Sequence, residues 1–244
     1  MAGLAARARY GEGAFVLAQG PAMKPALKIA CLHTAASNIE IFDEAAAMLG
    51  PSAPCLTHEV TPHLLAAAER EGGLSDHIAA ETAQHLARMA DKADAVILNC
   101  STLGPSIANL TGHAAERAIR VDAALAEEAV AKGGRVAVLC TVETTLAPTG
   151  ALFSAAAEKT GALCDIRLVP DAWAHFRSGH IEAYLTAIAK AAEEAYAEGI
   201  ATIAFAQASM TRAAAKVTNA PAPLTSPKAA LLSAMKRFGT DGRM

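Results

Sequence analysis

One cysteine stands apart from the other four by what flanks it. Cys100 ends the apolar run Ala95-Val96-Ile97-Leu98-Asn99 and is followed by Ser101-Thr102-Leu103-Gly104-Pro105. A thiol there can do general acid–base chemistry if its pKa is drawn towards neutrality. The N-terminus of a helix after the strand would do that by favouring the thiolate. The competing assignment is a strand-end packing residue, ordinary for a small buried thiol and equally open to Cys31 and Cys140. Five cysteines without a C-x-x-C pair argue against a disulfide framework or zinc knuckle and fit a reducing compartment.

Other polar side chains cluster in the same way, just after apolar runs. They are His33, Thr34, Ser37 and Asn38; Asn99, Ser101 and Thr102; Thr141, Thr144 and Thr145; and Gln207, Ser209 and Met210. Rich in hydroxyls and amides and poor in charge, the set suits a carboxylate ligand. Thr141, Thr144 and Thr145 could equally cap the following helix, and His33 could be a satisfied strand-end histidine. His58-Glu59 followed by His63 is not an H-E-x-x-H pattern, and Pro62 breaks any shared helical face, so no metal is expected. Lys190 and Lys228 lack the context of a pyridoxal Schiff base, and no glycine-rich phosphate loop follows a strand. No cofactor is expected.

The elements that must position these residues alternate. Strands are expected at 28–32, 55–60, 95–99, 135–139, 165–169 and 200–206, with helices at 41–49, 63–70, 75–92, 121–132, 151–159, 181–198 and 228–238. Such alternation implies right-handed βαβ units and parallel sheets. The pattern also repeats. Lys28-Ile-Ala-Cys-Leu-His-Thr34 resembles Arg135-Val-Ala-Val-Leu-Cys-Thr141, and Asn99-Cys100-Ser101 lies over Gln207-Ala208-Ser209. Cys100 comes 72 residues after Lys28, and Ala208 73 after Arg135. A duplicated α/β unit follows, with chance similarity of parallel strands as the alternative. The expected division is a tail or leader at 1–27, a first lobe at 28–118 plus 223–244, and a second at 119–222. Two such lobes would join their strand C-termini across a cleft, where ligands of open parallel sheets bind.

These motifs resemble a known family. Asn99-Cys100-Ser101-Thr102 with Gly104-Pro105 resembles the first cysteine motif of aspartate/glutamate racemases, hydantoin racemases and maleate isomerases. Residues 136–150, VAVLCTVETTLAPTG, resemble their central motif, and Leu224-Thr225-Ser226-Pro227 the segment before their last helix. The resemblance implies a two-lobed α/β fold, two similar Rossmann-like lobes related by a pseudo-twofold, with a cofactor-independent site between them. It also implies Cys100 as acid–base residue, acting on a small carboxylate-bearing substrate. One departure matters. Where racemising members carry a second thiol, this chain has Ala208, and the neighbouring Ser209 is a poor base without a partner. Two-base racemisation is thereby in doubt. A single-cysteine decarboxylase or lyase on a malonate-like acid is an alternative, although the arylmalonate decarboxylase branch keeps the other cysteine. A non-catalytic carboxylate-binding protein is another, and a cysteine hydrolase a third.

Composition narrows the partners. The 244 residues are 53% hydrophobic and 18% charged, with a formal net charge of −3, as expected of a globular, well-buried chain. No basic run interleaved with aromatics suggests nucleic acid, and no apolar stretch is long enough to span a bilayer. The expectation is a cytoplasmic enzyme; homo-oligomers are common among look-alikes.

Overall fold

A computed structural model describes residues 26–239 except Asn219. The expected tail at 1–27 lies outside the described residues but for its last two, and the Leu27 carbonyl there accepts a hydrogen bond from the Cys55 amide. Two four-stranded, all-parallel sheets follow. The first holds β1 (Lys28–His33), β2 (Cys55–Val60), β3 (Ala95–Asn99) and β4 (Ala118–Arg120) in the order β2-β1-β3-β4. The second holds β5 (Arg135–Cys140), β6 (Leu163–Leu168), β7 (Thr202–Phe205) and β8 (Leu224–Thr225) in the order β6-β5-β7-β8. The two orders are the same order, so the repeat visible in the sequence is a repeat of architecture.

Burial explains which run became which strand. The central strands β1, β3, β5 and β7 are almost wholly buried, so they read as continuous apolar runs. The edge strands β2 and β6 are only partly covered and carry His58, Glu59, Asp165 and Arg167, charged or polar side chains that discourage edge-to-edge pairing.

Helices cover both faces of each sheet. On the outer face of the first lie α2 (Pro62–Arg70) and α3 (Asp76–Ala90), whose Leu64, Ile78 and Leu86 meet Leu32, Val96 and Leu98. On that of the second lies α8 (Ile181–Ala197), whose Tyr184, Leu185 and Ile188 meet Leu139 and Phe205. The inner layer is shared. Helix α5 (Val121–Val130) turns Val121 and Ala124 to the first sheet and Leu125, Ala126 and Val130 to the second. A helix packed on two sides needs a wide apolar surface, and VDAALAEEAV supplies it, leaving only Asp122, Glu127 and Glu128 as charged positions. Helix α9 (Ser226–Phe238) does the same, with Ala230, Leu231 and Ala234 on the first core and Ala229 on the second. The edge strand just before α9, β8, pairs with β7 of the second sheet. Gly133 and Gly134, at φ 67° and 76°, end α5 and admit the turn into β5.

Candidate active site

All eight strands point the same way within their sheets, so each sheet gathers its strand C-termini at one edge. Two segments leaving those edges meet. Helix α1 (Ser37–Ala47) follows β1, and a 3-10 segment, Ala208–Lys216, follows β7. From the latter, Arg212 donates Nε to Glu44 Oε2 at 3.0 Å and Nη2 to Glu44 Oε1 at 2.7 Å, with Glu40 Oε2 also 2.7 Å away. Residues that follow strands in one lobe are thus tied to those in the other, the arrangement expected of a site between lobes.

Cys100 is half-buried at the tip of β3, packed beside the core that holds Leu98 and Leu103. Burial raises its thiol pKa, and the Asp122 charge adds to that. The amides of Leu103 and Thr102 and the Thr34 hydroxyl act the other way, as hydrogen-bond partners of the sulfur that favour thiolate. The expected pull towards neutrality is therefore present but outweighed. The physical reason is local: no α-helix starts at Cys100, and the segment Gly104–Asn109 that follows is 3-10, leaving two nearby amides and no long helix dipole.

From Asn99, next to Cys100, a chain of polar groups runs through two buried or nearly buried histidines to the exposed Asp43. Asn99 Nδ2 lies 3.1 Å from His33 Nδ1, His33 Nε2 lies 2.9 Å from His58 Nδ1, and His58 Nε2 lies 3.1 Å from Asp43 Oδ1. One consistent proton assignment satisfies every link: Asn99 donates to His33, His33 to His58, and His58 to the Asp43 carboxylate. Burial and the adjacent His58 lower the His33 pKa to about 4, so the ring is neutral at pH 7. Of the two alternatives for His33, ligand contact or a satisfied strand-end histidine, its surroundings fit the second: it is fully buried, with one ring nitrogen on His58 and the other on Asn99.

The second lobe makes a different arrangement from hydroxyls and one amide. Gln207 Oε1 accepts from the Thr141 amide at 3.0 Å and the Thr141 hydroxyl at 3.3 Å, while its Nε2 donates to Thr145 Oγ1 at 3.2 Å. The Thr145 hydroxyl in turn donates to the Val142 carbonyl at 2.6 Å. These threonines make no capping hydrogen bond to helix α6 (Leu146–Ala157). Thr144 is exposed and Thr141 buried. Ala208 is buried, and Ser209 Oγ sits 2.8 Å from the hydroxyl of Tyr184, a buried tyrosine of α8. On the first-lobe side Ser101 and Thr102 are exposed, and Thr34 and Asn38 half-buried.

Several neighbours escape a reading of strand ends alone. Arg120 at the tip of β4 lays its guanidinium over Gly104, so close that a Cβ there would meet it at 2.7 Å. It is held by Asp122, which accepts from Nε at 3.0 Å and Nη2 at 2.7 Å. A three-residue strand gives no periodic signal that could have flagged it. Tyr184 is hidden likewise in an ordinary helical face. His58 and Glu59 diverge onto opposite faces of β2, His58 to His33 and Glu59 to His85. Among the described residues two groups of metal-competent donors result, Cys31–His33–His58 inside the first lobe and His63–Glu81–His85 on its surface.

No family model and no curated protein matches the sequence. Solved structures do match. The aspartate racemase of Picrophilus torridus superposes with a TM-score of 0.65 at 10% identity, covering 87% of this chain and 94% of that one. The allantoin racemase of Pseudomonas fluorescens gives 0.60 at 16% identity, over 87% and 92%. A glutamate racemase isoform of Bacillus anthracis gives 0.56 at 12%, over 88% and 83%. The chain shares the two-lobed α/β fold of these racemase structures.

Proposed function

We propose that this chain is a cofactor-independent enzyme of the racemase/isomerase type, moving a proton at the carbon next to a carboxylate of a small acidic substrate, with Cys100 as its acid–base group. The observation that carries the reading is the setting of that thiol: half-buried at a strand tip, just before the exposed Ser101 and Thr102 and beside the half-buried Thr34. As thiolate it takes the α-proton, and the electron pair left behind delocalises into the carboxylate as an enolate-like dianion. Such charge needs donors already in place. The exposed Ser101 and Thr102 hydroxyls, half-buried Thr34 and Asn38, and exposed Thr144 supply neutral ones. The Arg120 guanidinium beside Gly104 is already neutralised by its pairing with Asp122, so the donors are the neutral groups. Asn99, braced by His33, and Gln207, braced by Thr141 and Thr145, hold the two strand tips.

A second reading is favoured by one specific feature, Ala208 where a second thiol would stand. With one acid–base group, the least demanding reaction is decarboxylation of a malonate-like acid. Carbon dioxide leaves with its bond cleaved towards the remaining carbon, and the protonated Cys100 thiol delivers the one proton needed. Its raised pKa keeps it protonated at neutral pH.

The test is a panel of amino acids, hydantoins, maleate and substituted malonates incubated in heavy water and followed by NMR. Deuterium entering the α-position, lost in Cys100→Ala, is the expected result; carbon dioxide release marks the second reading. Turnover that survives Cys100→Ala would remove both. Tight dicarboxylate binding with neither exchange nor release would leave a binding protein on an enzyme's scaffold.

A further inference from the structure

We propose that Cys31, His33 and His58 form a buried site for a zinc-class divalent ion, with Asn99 and Asp43 as its outer shell. Strand register builds it. Cys31 and His33 are two residues apart on β1 and so share a face, and His58 of β2 lies directly across from Cys31. One donor atom from each of the three lies within 4.8 Å of the others. Cys31 and His33 are wholly buried, His58 is 11% exposed, and its partner Asp43 is 58% exposed.

The outer partners are what distinguish this from a chance cluster. Metal-binding histidines usually hand their second ring N–H to a carboxylate or amide, which fixes the ring and its tautomer. Here His58 Nε2 faces Asp43 Oδ1 and His33 Nδ1 faces the Asn99 amide, so His58 Nδ1 and His33 Nε2 are turned towards each other at 2.9 Å. Tetrahedral zinc with Zn–N of about 2.05 Å and Zn–S of about 2.3 Å needs N···N of about 3.3 Å and S···N of about 3.6 Å. The rings must part by roughly 0.4 Å, and the sulfur, now within 4.8 Å of both nitrogens, must settle at about 3.6 Å from each.

The proton and charge balance is simple. Each imidazole carries one proton with or without the ion; the His33 proton shifts to Nδ1, and Asn99 turns its amide to accept it through Oδ1. The Cys31 thiol gives up one proton to solvent. Thiolate and divalent ion leave a single positive charge, offset through His58 by Asp43. No electron moves. The surface group His63–Glu81–His85 is the competitor, but it has no thiolate and its His63 is 60% exposed.

The experiment takes the full chain, strips it with chelator and titrates it with Co(II), then Zn(II). The expected result is one tight equivalent, a thiolate-to-cobalt charge-transfer band in the near ultraviolet, one proton released, and displacement by zinc. Cys31→Ser should abolish the band, and Cys55→Ser, at an exposed cysteine, should keep it. Asp43→Asn removes no ligand, so it guards against a Cys31 variant that fails to fold. It should keep the band and weaken binding about 10- to 100-fold. Absence of stoichiometric binding overturns the site. So does a band that persists in Cys31→Ser, or binding abolished by His63→Ala, which would place the ion on the surface.

Discussion

Asn99 and Gln207 occupy matching places in the two lobes, each at the tip of the third strand of its sheet, yet they are anchored to different chemistry. Asn99 is held by a neutral histidine, itself held by His58 and the Asp43 carboxylate at the surface. Gln207 is held by hydroxyls and a backbone amide, none of which ionises near neutral pH. The next residue follows the same division: a thiol at 100, a methyl group at 208. The strand order repeats between the lobes, and the thiol does not. Under the function proposed above, proton transfer would come from one face, with the other face serving to bind and to exclude water.

The largest expected effect tests that division directly. Cys100→Ala should lower α-proton exchange by roughly 100- to 10,000-fold, the usual worth of a general acid–base group. Its melting temperature should barely change, because the side chain is half-buried and the backbone contacts remain. Equal loss from Ser209→Ala would show that the second lobe does acid–base work after all, and the asymmetry would fall.

Next in size is pH. The Cys100 pKa is raised, so the thiolate is the minor form at neutrality. If the thiolate is the base, exchange should climb about tenfold per pH unit until that raised value is reached, then level off. If the thiol acts only as an acid, the profile is flat at low pH and falls as pH rises through the same value. Stability moves in one direction only. Cys100 and Cys140 both ionise less readily in the folded chain than in the unfolded one. Their contribution is whole below about pH 8.5, where unfolded thiols begin to ionise, and is lost as pH rises through the folded values. Urea melts on either side of that window would show it.

Gln207→Ala should cost stability, by about 1–3 kcal/mol, because it strands the buried Thr141 amide and hydroxyl. Tyr184→Phe should cost less, about 0.5–1.5 kcal/mol for one hydrogen bond to Ser209. Denaturant midpoints rank the two. If Tyr184→Phe instead leaves stability alone and reduces exchange more than tenfold, its hydroxyl is the missing proton donor of the second face.

The sequence carried the frame of this molecule further than its details. Ala95–Asn99 became a strand with the expected bounds, because a buried parallel strand has little choice but to be apolar or β-branched; the partly covered edge strand Cys55–Val60 also has the expected bounds. Ala118–Arg120 and Leu224–Thr225 escaped, being edge strands of three and two residues with no period to detect. At the site, Cys100 could be read because a thiol at a strand tip is unusual in its flanks. Its pKa could not, since that depends on how deeply Leu98, Leu103 and their neighbours close over it. The His33–His58 contact was equally hidden: it exists only through the register of β1 on β2, which pairs residues 27 apart and so sets His58 diagonally beside His33.

The smallest expected effect concerns the tie between the lobes. Arg212 spans from the segment after β7 to Glu40 and Glu44 of α1, but its side chain is 43% exposed. Water and salt screen such a pair, and holding three long side chains in one geometry opposes the Coulomb gain. Arg212→Ala should therefore change global stability by only about 0–1 kcal/mol. Its effect on function can be larger without contradiction, because α5 and α9 hold the two cores together at the back while Arg212 acts at the front, where the strand tips open. Affinity for a dicarboxylate should weaken while the denaturation midpoint stays put, and more salt should bring the parent closer to the variant. A large drop in the midpoint would instead mean that the front contact, and not the shared helices, holds the lobes together.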